Sequence, residues 1–323
     1  MILHITLFVI GLLLVLVGAN FLTDGSASIA KRMGLSDFIV GLTIVSMMTS
    51  APELVVSLTG AFTASTEIAI GNIVGSNIAN IFIIIGITAL IRPIAVERGV
   101  LTSEMPIMIL ASVVLLIMGC SPWLDGSPML LSRVDGLLLL IFFILFMRHT
   151  VQSARSAQPS DPVAKDGAQK QEMPVWRALI YTVGGLGVLI LGGNWFVDGA
   201  VGIAKAFGWS DALIGLTIIA IGTSVPELAT SVASALKGYP GMAIGNVIGS
   251  NIFNIFFVLG ITSTVTPLSF GSIGIVDLLV MTGAALLFWL CGWFYGHRTI
   301  TRAEGILMVA CYIGYVVYLY SGI

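Results

Sequence analysis

The stretch AIGNIVGSNIANIF, residues 69–82, returns as AIGNVIGSNIFNIF at residues 243–256. Both copies combine glycine, asparagine and serine with large apolar residues. Asparagine and serine are unfavourable on a helix face that meets lipid, because their polar groups would lose water without gaining a partner. The recurrence therefore indicates a polar element inside an otherwise apolar fold.

The composition places the chain in a membrane. Of its 323 residues, 57% are hydrophobic and only 9% are charged, and the mean hydropathy is +1.06. Soluble domains carry roughly 25% charged residues. A soluble core of this length could not hide so much apolar surface, so we expect an integral, all-α membrane protein with spans of about 20 residues.

Hydropathy predicts ten transmembrane helices and one long polar segment. The polar segment, RHTVQSARSAQPSDPVAKDGAQKQEMPVWR at residues 148–177, is typical of a flexible aqueous linker. It divides the chain into a first five-helix half (residues 1–149), a linker (150–175) and a second five-helix half (176–323). The predicted spans are 2–23, 37–62, 67–91, 99–119, 130–149, 176–200, 211–236, 241–264, 271–295 and 303–321.

The basic residues predict how the chain is oriented. All 14 Lys and Arg residues except Arg133 and Lys205 fall in one set of loops, together with the linker. Loops rich in Lys and Arg remain in the cytoplasm. We therefore expect a multi-pass protein of the inner (plasma) membrane, with both termini outside, on the periplasmic side, and the linker in the cytoplasm.

The two halves are related by a shift of 174 residues. The shift places GLTIVSMMTSAPELVVS, which begins at Gly41, on GLTIIAIGTSVPELATS, which begins at Gly215. Because each half has five predicted crossings, corresponding helices enter the membrane from opposite sides. The halves are thus predicted to be inverted-topology repeats, which secondary transporters use to build one central site. Duplicated packing units without a site are the alternative, but they do not explain why the most polar stretches are the ones kept alike.

The motifs TSAPE (49–53) and TSVPE (223–227) predict a break in the second helix of each half. Proline lacks an amide donor and displaces the carbonyl four residues earlier in a helix. Inside the bilayer, a carbonyl group that has lost its helical hydrogen bond is tolerated only where it lines a cavity or binds a ligand. Thr49, Ser50 and Glu53 also share one helix face.

Glu53 and Glu227 are acids in the middle of predicted spans, where an ionised carboxylate costs a few kcal/mol. No Lys or Arg occurs between residues 38 and 91, and only Lys237, in a loop, occurs between 212 and 266. The countercharge must come from protons or bound cations. The alternative is that each acid is protonated and hydrogen-bonded in a packed core.

The repeated asparagines and serines lie on one helix face in each half, at positions i, i+4 and i+8. The neighbouring G-x-x-x-G spacing allows close helix approach. For four of the asparagines, namely Asn72, Asn77, Asn246 and Asn251, polar contact between helices is an equally good interpretation. The stripes are Asn72, Ser76 and Asn80 in the first half and Asn246, Ser250 and Asn254 in the second.

The donors of this predicted site are hard oxygen atoms. Neither repeated block contains Cys or His, which disfavours zinc and copper, and the three cysteines are scattered through apolar segments. Calcium accepts about six to eight oxygen ligands in flexible geometry. Two carboxylates balance one Ca²⁺, and the same oxygens could hold several Na⁺, so competition for shared ligands would produce exchange.

The paired TSxPE and GNxxGSNxxN motifs resemble the repeats of the cation/calcium antiporter superfamily, especially its bacterial and archaeal sodium/calcium exchanger-like proteins. The resemblance covers nearly the whole chain and implies an antiporter that exchanges Ca²⁺ for Na⁺ by alternating access. It implies calcium ligands at Glu53, Glu227 and the backbone oxygens of Thr49 and Thr223. It implies sodium sites at Ser50, Ser224, Ser76, Ser250 and the carbonyls of Ser46 and Ala220, with a central polar pair at Asn80 and Asn254.

Some relatives in that superfamily carry Asp at one position of the central pair, whereas here both residues are Asn. Sodium stoichiometry, potassium co-transport and proton coupling therefore stay open, and a Ca²⁺/H⁺ or other cation/H⁺ antiporter is the main alternative. A sodium-coupled symporter would need a substrate pocket that the repeats do not offer. A passive channel would not need a dehydrated site with two acids.

We expect no catalytic residues, no resident cofactor, no nucleic-acid partner and no obligatory protein partner. The expected partners are Ca²⁺ and Na⁺, as transported substrates, and the lipid bilayer. Two further pairs of acids match across the repeat near predicted span ends, and we expect them to cap helices rather than to line an ion pathway. They are Asp24 with Asp198 and Asp37 with Asp211.

Overall fold

Apolar runs in a membrane fold as helices, because a helix pairs its backbone N–H and C=O groups internally. A computed structural model describes residues 1–62, 66–124, 126–156, 173–207, 222–294 and 298–321. Its main helices are α1 (Ile2–Met33), α2 (Asp37–Thr49), α3 (Ala51–Phe62), α4 (Thr66–Ile91), α5 (Arg98–Gly119), α6 (Arg133–Ser156), α7 (Val175–Ala206), α8 (Val225–Leu236), α9 (Pro240–Val265), α10 (Ile275–Phe294) and α11 (Arg302–Ser321).

The mainly helical class predicted from hydropathy is confirmed. Within the described residues, eight helices are long and apolar enough to cross a membrane, or nine if the bent pair α2 and α3 forms one span. The seventh predicted span, 211–236, lies partly outside the described residues, which resume at residue 222 ahead of α8. The count of ten spans therefore stays a prediction.

Three predicted boundaries differ from the structure by more than five residues. Helix α1 continues ten residues past the predicted end at residue 23 and stops at Gly34, whose φ of 62° allows the left-handed cap that ends many helices. Helix α6 continues into the predicted linker, to Ser156, and α7 continues to Ala206. Hydropathy misses these turns because polar residues outside the hydrocarbon still form helix.

Two short antiparallel strand pairs, not predicted from the sequence, tie the halves together at opposite ends of the bundle. Strand β1 (Ile94–Ala95) pairs with β4 (Thr299–Ile300), and β2 (Leu130–Leu131) pairs with β3 (Leu268–Ser269). The 22 residues of α5, about 33 Å of helix, separate β1 from β2. We call the two ends of the bundle the β1–β4 end and the β2–β3 end.

Helices α4 and α9, which correspond under the 174-residue shift, run in opposite directions. At the start of α4, the hydroxyl of Thr66 accepts a hydrogen bond from Ser269 N at 3.3 Å, at the β2–β3 end. Just after α4, Arg92 donates to the carbonyl of Ala235 at 3.0 Å, beside β1. Helix α9 ends at Val265, three residues before β3 begins, so it starts at the β1–β4 end.

Helices α1 and α7 also correspond under this shift, and their backbones are in direct antiparallel contact. A Cβ atom at Gly18 would lie 2.8 Å from the carbonyl oxygen of Gly185, and one at Gly25 would lie 2.7 Å from that of Ala178. One at Gly192 would lie 2.9 Å from the carbonyl oxygen of Gly11. Small residues allow such close approach in membranes, where van der Waals packing drives helix association.

Gly192→Ala should destabilise the protein, because its new methyl group would overlap Leu14 Cβ at 2.6 Å and Val15 N at 2.7 Å. Overpacking of this kind costs about 1–3 kcal/mol. The measurement is the midpoint of thermal unfolding in detergent. The adjacent Gly193→Ala is the matched control, since open space surrounds a Cβ there, and equal loss in both variants would contradict the close packing of α1 on α7.

Candidate ion-binding site

The TSAPE motif interrupts a helix at its serine. Ser50, with φ −82° and ψ 7°, separates α2 from α3, and the two helices are bent by 41°. Ser224, with φ −90° and ψ 4°, precedes α8 in the same conformation. Pro52 and Pro226 follow two residues later, and neither can donate a backbone hydrogen bond to the preceding turn. The predicted break is confirmed in the first half, whereas most of the segment ahead of α8 lies outside the described residues and the second break stays a prediction.

A second irregularity lies within α4 and α9. Each helix widens into a π-helical turn, Asn80–Ile85 in α4 and Asn254–Leu259 in α9. Each turn begins at the asparagine that the sequence predicts as the central polar pair. Such turns are rare and are frequently found at functional sites.

The two acids lie at the contact between the halves of the chain. Glu53 and Glu227 are each only 1% exposed. The hydroxyl of Ser50, at the break of the first half, donates to Glu227 Oε1 at 3.2 Å. The hydroxyl of Ser76 donates to Glu53 Oε1 at 3.5 Å and lies 3.4 Å from that of Thr223, in the second half. Each half thus contributes polar side chains to a shared site.

Among the described residues, neither acid has a basic partner. In the part of the chain that the structure describes, the ion pairs join Glu104 to His149 and Asp24 to Lys237, and none involves Glu53 or Glu227. A buried carboxylate is costly unless a positive charge or a proton neutralises it. The arrangement therefore requires a bound cation or a proton at each acid.

Six buried oxygen atoms from residues of the predicted site have no hydrogen-bond partner among the described residues. All are carboxylate, amide or hydroxyl oxygens, which are the ligands that calcium and sodium prefer. Because an unpaired buried polar atom costs free energy, their accumulation in one place favours a cation ligand. They are Glu53 Oε2, Glu227 Oε2, Asn80 Oδ1, Asn254 Oδ1, Ser224 Oγ and Ser250 Oγ.

The central asparagines form a reciprocal hydrogen-bond cluster. The amide of Asn77 donates to the backbone oxygen of Asn251 at 3.2 Å, and the amide of Asn251 donates to that of Asn77 at 3.4 Å. Asn80 donates to Asn251 Oδ1 at 2.9 Å, and Asn254 donates to Asn77 Oδ1 at 3.0 Å. Asn77 and Asn251 therefore hold helices together, whereas Asn80 and Asn254 each keep an amide oxygen unpaired.

The remaining predicted ligands differ from one another in burial and in hydrogen bonding. Ser46 is buried, and its carbonyl already accepts hydrogen bonds from Ser50 N at 2.9 Å and the hydroxyl of Thr49 at 3.4 Å. Thr49 is fully buried, while Thr223 is half-buried. Ala220 lies outside the described residues.

Asp37 is the first residue of α2, after the capping residue Ser36, and Asp211 lies outside the described residues. The expectation that Asp24 and Asp198 cap helices is wrong. Both lie inside long helices, α1 and α7, because these helices continue past their predicted ends. Asp24 instead pairs with Lys237 Nζ at 2.9 Å. The matching positions suggested a shared role, but the sequence offered no signal for this contact between distant segments.

The chain matches the family model described as sodium/calcium exchanger protein over residues 3–151 and 177–321. CaxA of Alkalimonas amylolytica, named as an antiporter, is 41% identical, with 98% of each chain covered. The sodium/calcium exchanger MaX1 of Methanosarcina acetivorans is 29% identical, with 97% of each covered. A solved structure of the sodium-calcium exchanger NCX_Mj, soaked with Na⁺ and Sr²⁺, is 34% identical and superposes with a TM-score of 0.82 over 98% of both chains.

Calcium should raise the unfolding temperature of the detergent-purified protein, because a ligand that binds only the folded state stabilises it by about 2.7 kcal/mol at a hundred times its Kd. Glu53→Gln and Glu227→Gln should each remove this calcium effect. Glu67→Gln is the matched control, since Glu67 is an exposed acid in the first turn of α4. If calcium left the wild-type unfolding midpoint unchanged, the acids would instead be neutralised by protons within a packed core.

Proposed function

The chain belongs to the sodium/calcium exchanger protein family, and on this basis we propose that it is a secondary active antiporter that exchanges Ca²⁺ for Na⁺ by alternating access. One observation carries the proposal: Glu53 and Glu227 are buried together at the contact between the halves without any basic partner among the described residues. The transported cations would supply the missing positive charge.

In this proposal, the two carboxylates and the backbone oxygens of Thr49 and Thr223 bind Ca²⁺. Sodium ions would occupy overlapping positions that share these carboxylates. Because both ions need the same negative charges, binding of one displaces the other, and exchange follows from that competition. The further oxygen donors proposed for Na⁺ belong to Ser46, Ser50, Ser76, Ala220, Ser224 and Ser250, with Asn80 and Asn254 at the centre.

We also propose that the chain forms ten spans as two inverted repeats of five, with both termini outside. The opposite directions of the corresponding helices α4 and α9, and of α1 and α7, support the inverted repeat. Arg92 and Arg302 lie at the β1–β4 end, while Arg133 lies at the β2–β3 end. The basic loops therefore make the β1–β4 end cytoplasmic.

A Ca²⁺/H⁺ antiporter is the second candidate. Two buried acids in one site can bind protons as a coupled pair. Asn80 and Asn254 are neutral, so the central pair brings no further charge that would demand additional sodium ions. This candidate uses the same calcium ligands and differs only in the ion that replaces calcium.

The deciding measurement is calcium uptake by the purified protein in liposomes loaded with sodium. Imposing an outward sodium gradient should drive uptake, and collapsing it with a sodium ionophore should stop uptake. Glu53→Gln or Glu227→Gln should abolish calcium flux, because each removes a charge that Ca²⁺ requires, while Glu67→Gln should transport normally.

The amount of each variant inserted in the membrane is measured in parallel, so that a loss of flux is not confused with a loss of protein. Uptake that ignores sodium and follows a pH step would replace the first candidate with the second. Full activity of both Gln variants would contradict either form of the proposal.

A further inference from the structure

We infer that a seam of buried hydroxyl groups between α1 and α8 is the route by which ions pass between the site and the β1–β4 end of the bundle. This hydroxyl seam consists of Thr23 and Ser26 on α1 and Thr230 and Ser234 on α8. The inference rests on the proposed antiport function and extends it, because none of these four residues is a proposed ion ligand.

The α8 side of the hydroxyl seam leads directly away from one acid of the site. Thr230 and Ser234 follow Glu227 at i+3 and i+7, so all three side chains lie on one helix face. The two hydroxyl residues lie about 4.5 Å and about 10.5 Å beyond Glu227 along the helix axis. Helix α8 ends at Leu236, just before α9 begins at the β1–β4 end. The hydroxyls therefore cover most of the roughly 15 Å between the middle of a bilayer and its surface.

The α1 side of the seam meets α8 near that same end. The hydroxyl of Thr23 lies 3.4 Å from that of Ser234, and Ser26 follows Thr23 one turn later on the same helix face. Helix α1 runs toward the β1–β4 end, because α2, which follows it, begins beside the start of α9. A Cβ atom at Gly241 would lie only 3.3 Å from Phe38 N. All four hydroxyl residues are fully buried, so the seam is closed in this structure.

Packing does not account for these hydroxyl groups. Serine and threonine in membrane helices ordinarily donate to the carbonyl four residues earlier or to a neighbouring helix. Thr23 does so, donating to the carbonyl of Ala19 at 2.8 Å. The hydroxyls of Ser26 and Thr230, in contrast, have no hydrogen-bond partner among the described residues. A buried hydroxyl without a partner destabilises the folded protein, and polar side chains inside a membrane commonly mark ion pathways.

Duplication does not account for the hydroxyl seam either, because the equivalent positions carry no hydroxyl group. Under the 174-residue shift, the equivalents of Thr23, Ser26, Thr230 and Ser234 are Val197, Ala200, Val56 and Gly60. The residues of the proposed ion site match closely across the repeat, whereas the seam is polar on one face of the bundle only. A role in packing would be needed equally in both halves. A lining on one face alone favours a role in ion access at that face.

An ion pair covers the outer end of the hydroxyl seam. Lys237, the residue after α8, lies 2.9 Å from Asp24 and donates to the carbonyl of Asn20 at 2.8 Å. The side chains of Asp24 and Lys237 are 20% and 17% exposed, so the pair lies at the edge of the buried region. Asp24 directly follows Thr23 of the seam. Neither α1 nor α8 contributes to a strand pair, so the seam can open while both strand pairs stay intact.

The test measures whether water reaches the seam from the β1–β4 end. Thr230→Cys and Ser234→Cys are made singly in a background in which the native cysteines, Cys120, Cys291 and Cys311, are replaced by serine. Each variant is reconstituted into liposomes that exchange calcium. A membrane-impermeant, positively charged methanethiosulfonate reagent is then added to one face at a time, and modification is read as the mass increase of the protein.

Both variants should react from the face that also modifies Arg98→Cys, because Arg98 is an exposed residue close to β1 and marks the β1–β4 end. Ser234→Cys should react faster than Thr230→Cys, since it lies closer to the covering ion pair. Val56→Cys is the matched control, as the equivalent of Thr230 in the other half, and it should not react from that face.

Breaking the covering ion pair should open the seam more often. Asp24→Asn should speed the modification of Ser234→Cys by up to about fivefold, the effect of one partly exposed ion pair. Exchanging the two charges, with Asp24→Lys and Lys237→Asp together, should return the rate toward its original value.

An isosteric variant keeps the test informative if a cysteine variant folds poorly. Thr230→Val removes only the hydroxyl and should slow calcium exchange. The rise in unfolding temperature caused by calcium should stay unchanged in this variant, because no proposed ion ligand is lost. Val56→Thr, the reverse change at the equivalent position, is the control and should exchange calcium at the wild-type rate.

Modification of both seam positions from the Arg98 face, and not of Val56→Cys, establishes the inference. No modification, equal modification of Val56→Cys, or modification only from the opposite face would overturn it. Because labelling is read on the protein itself, the inference can fail while sodium-driven calcium uptake stands. A wild-type protein that exchanges calcium for neither sodium nor protons would instead remove the antiport function, and the inference with it.

Discussion

The structure depends on two carboxylates that are buried without a basic partner among the described residues. Glu53 and Glu227 would each cost several kcal/mol if left ionised and unpaired inside the bilayer. The surrounding features reduce that cost: the helix break at Ser50 brings a hydroxyl group to Glu227, and buried oxygens without a partner among the described residues would be available to a bound cation. The site is costly in free energy when it is empty and stable when a cation is bound. Such a site is suited to a protein that binds cations and later releases them.

Duplication explains how such a site forms from a single chain. Hydrogen bonds occur in pairs related by 174 residues. Asn72 in the first half donates to a backbone oxygen, and Asn246 in the second half donates to the corresponding one. Because corresponding helices run in opposite directions, each pair of contacts falls on opposite faces of the site. The members of a pair can differ in length and burial, however. The hydrogen bond from Thr49 to Asn246 is shorter and more buried than the one from Thr223 to Asn72.

Sequence reasoning succeeded where chemistry is local and failed where distant segments meet. Pro52 predicted the helix break at Ser50, because a missing amide acts within one turn. Asp24 was misread as a helix cap, because its partner Lys237 is far away in the chain. The π-helical turns at Asn80 and Asn254 were also missed, since an extra residue in one turn leaves no clear mark on hydropathy. For Asn77 and Asn251, polar contact between helices was one of two open interpretations, and the structure adopts it.

The sequence by itself determined three things, because each can be read along the chain. Hydropathy determined the membrane class, and the repeated motifs determined the duplication. The absence of Lys and Arg near the two acids in the sequence identified the candidate site residues. The tertiary structure alone decided which oxygens pair and which stay unpaired. Ser50 meets Glu227 across 177 residues, and Ser76 meets Thr223 across 147. Hydrogen bonds require placement within a few tenths of an ångström of about 3 Å. Only the packing of the whole bundle positions such distant groups that closely.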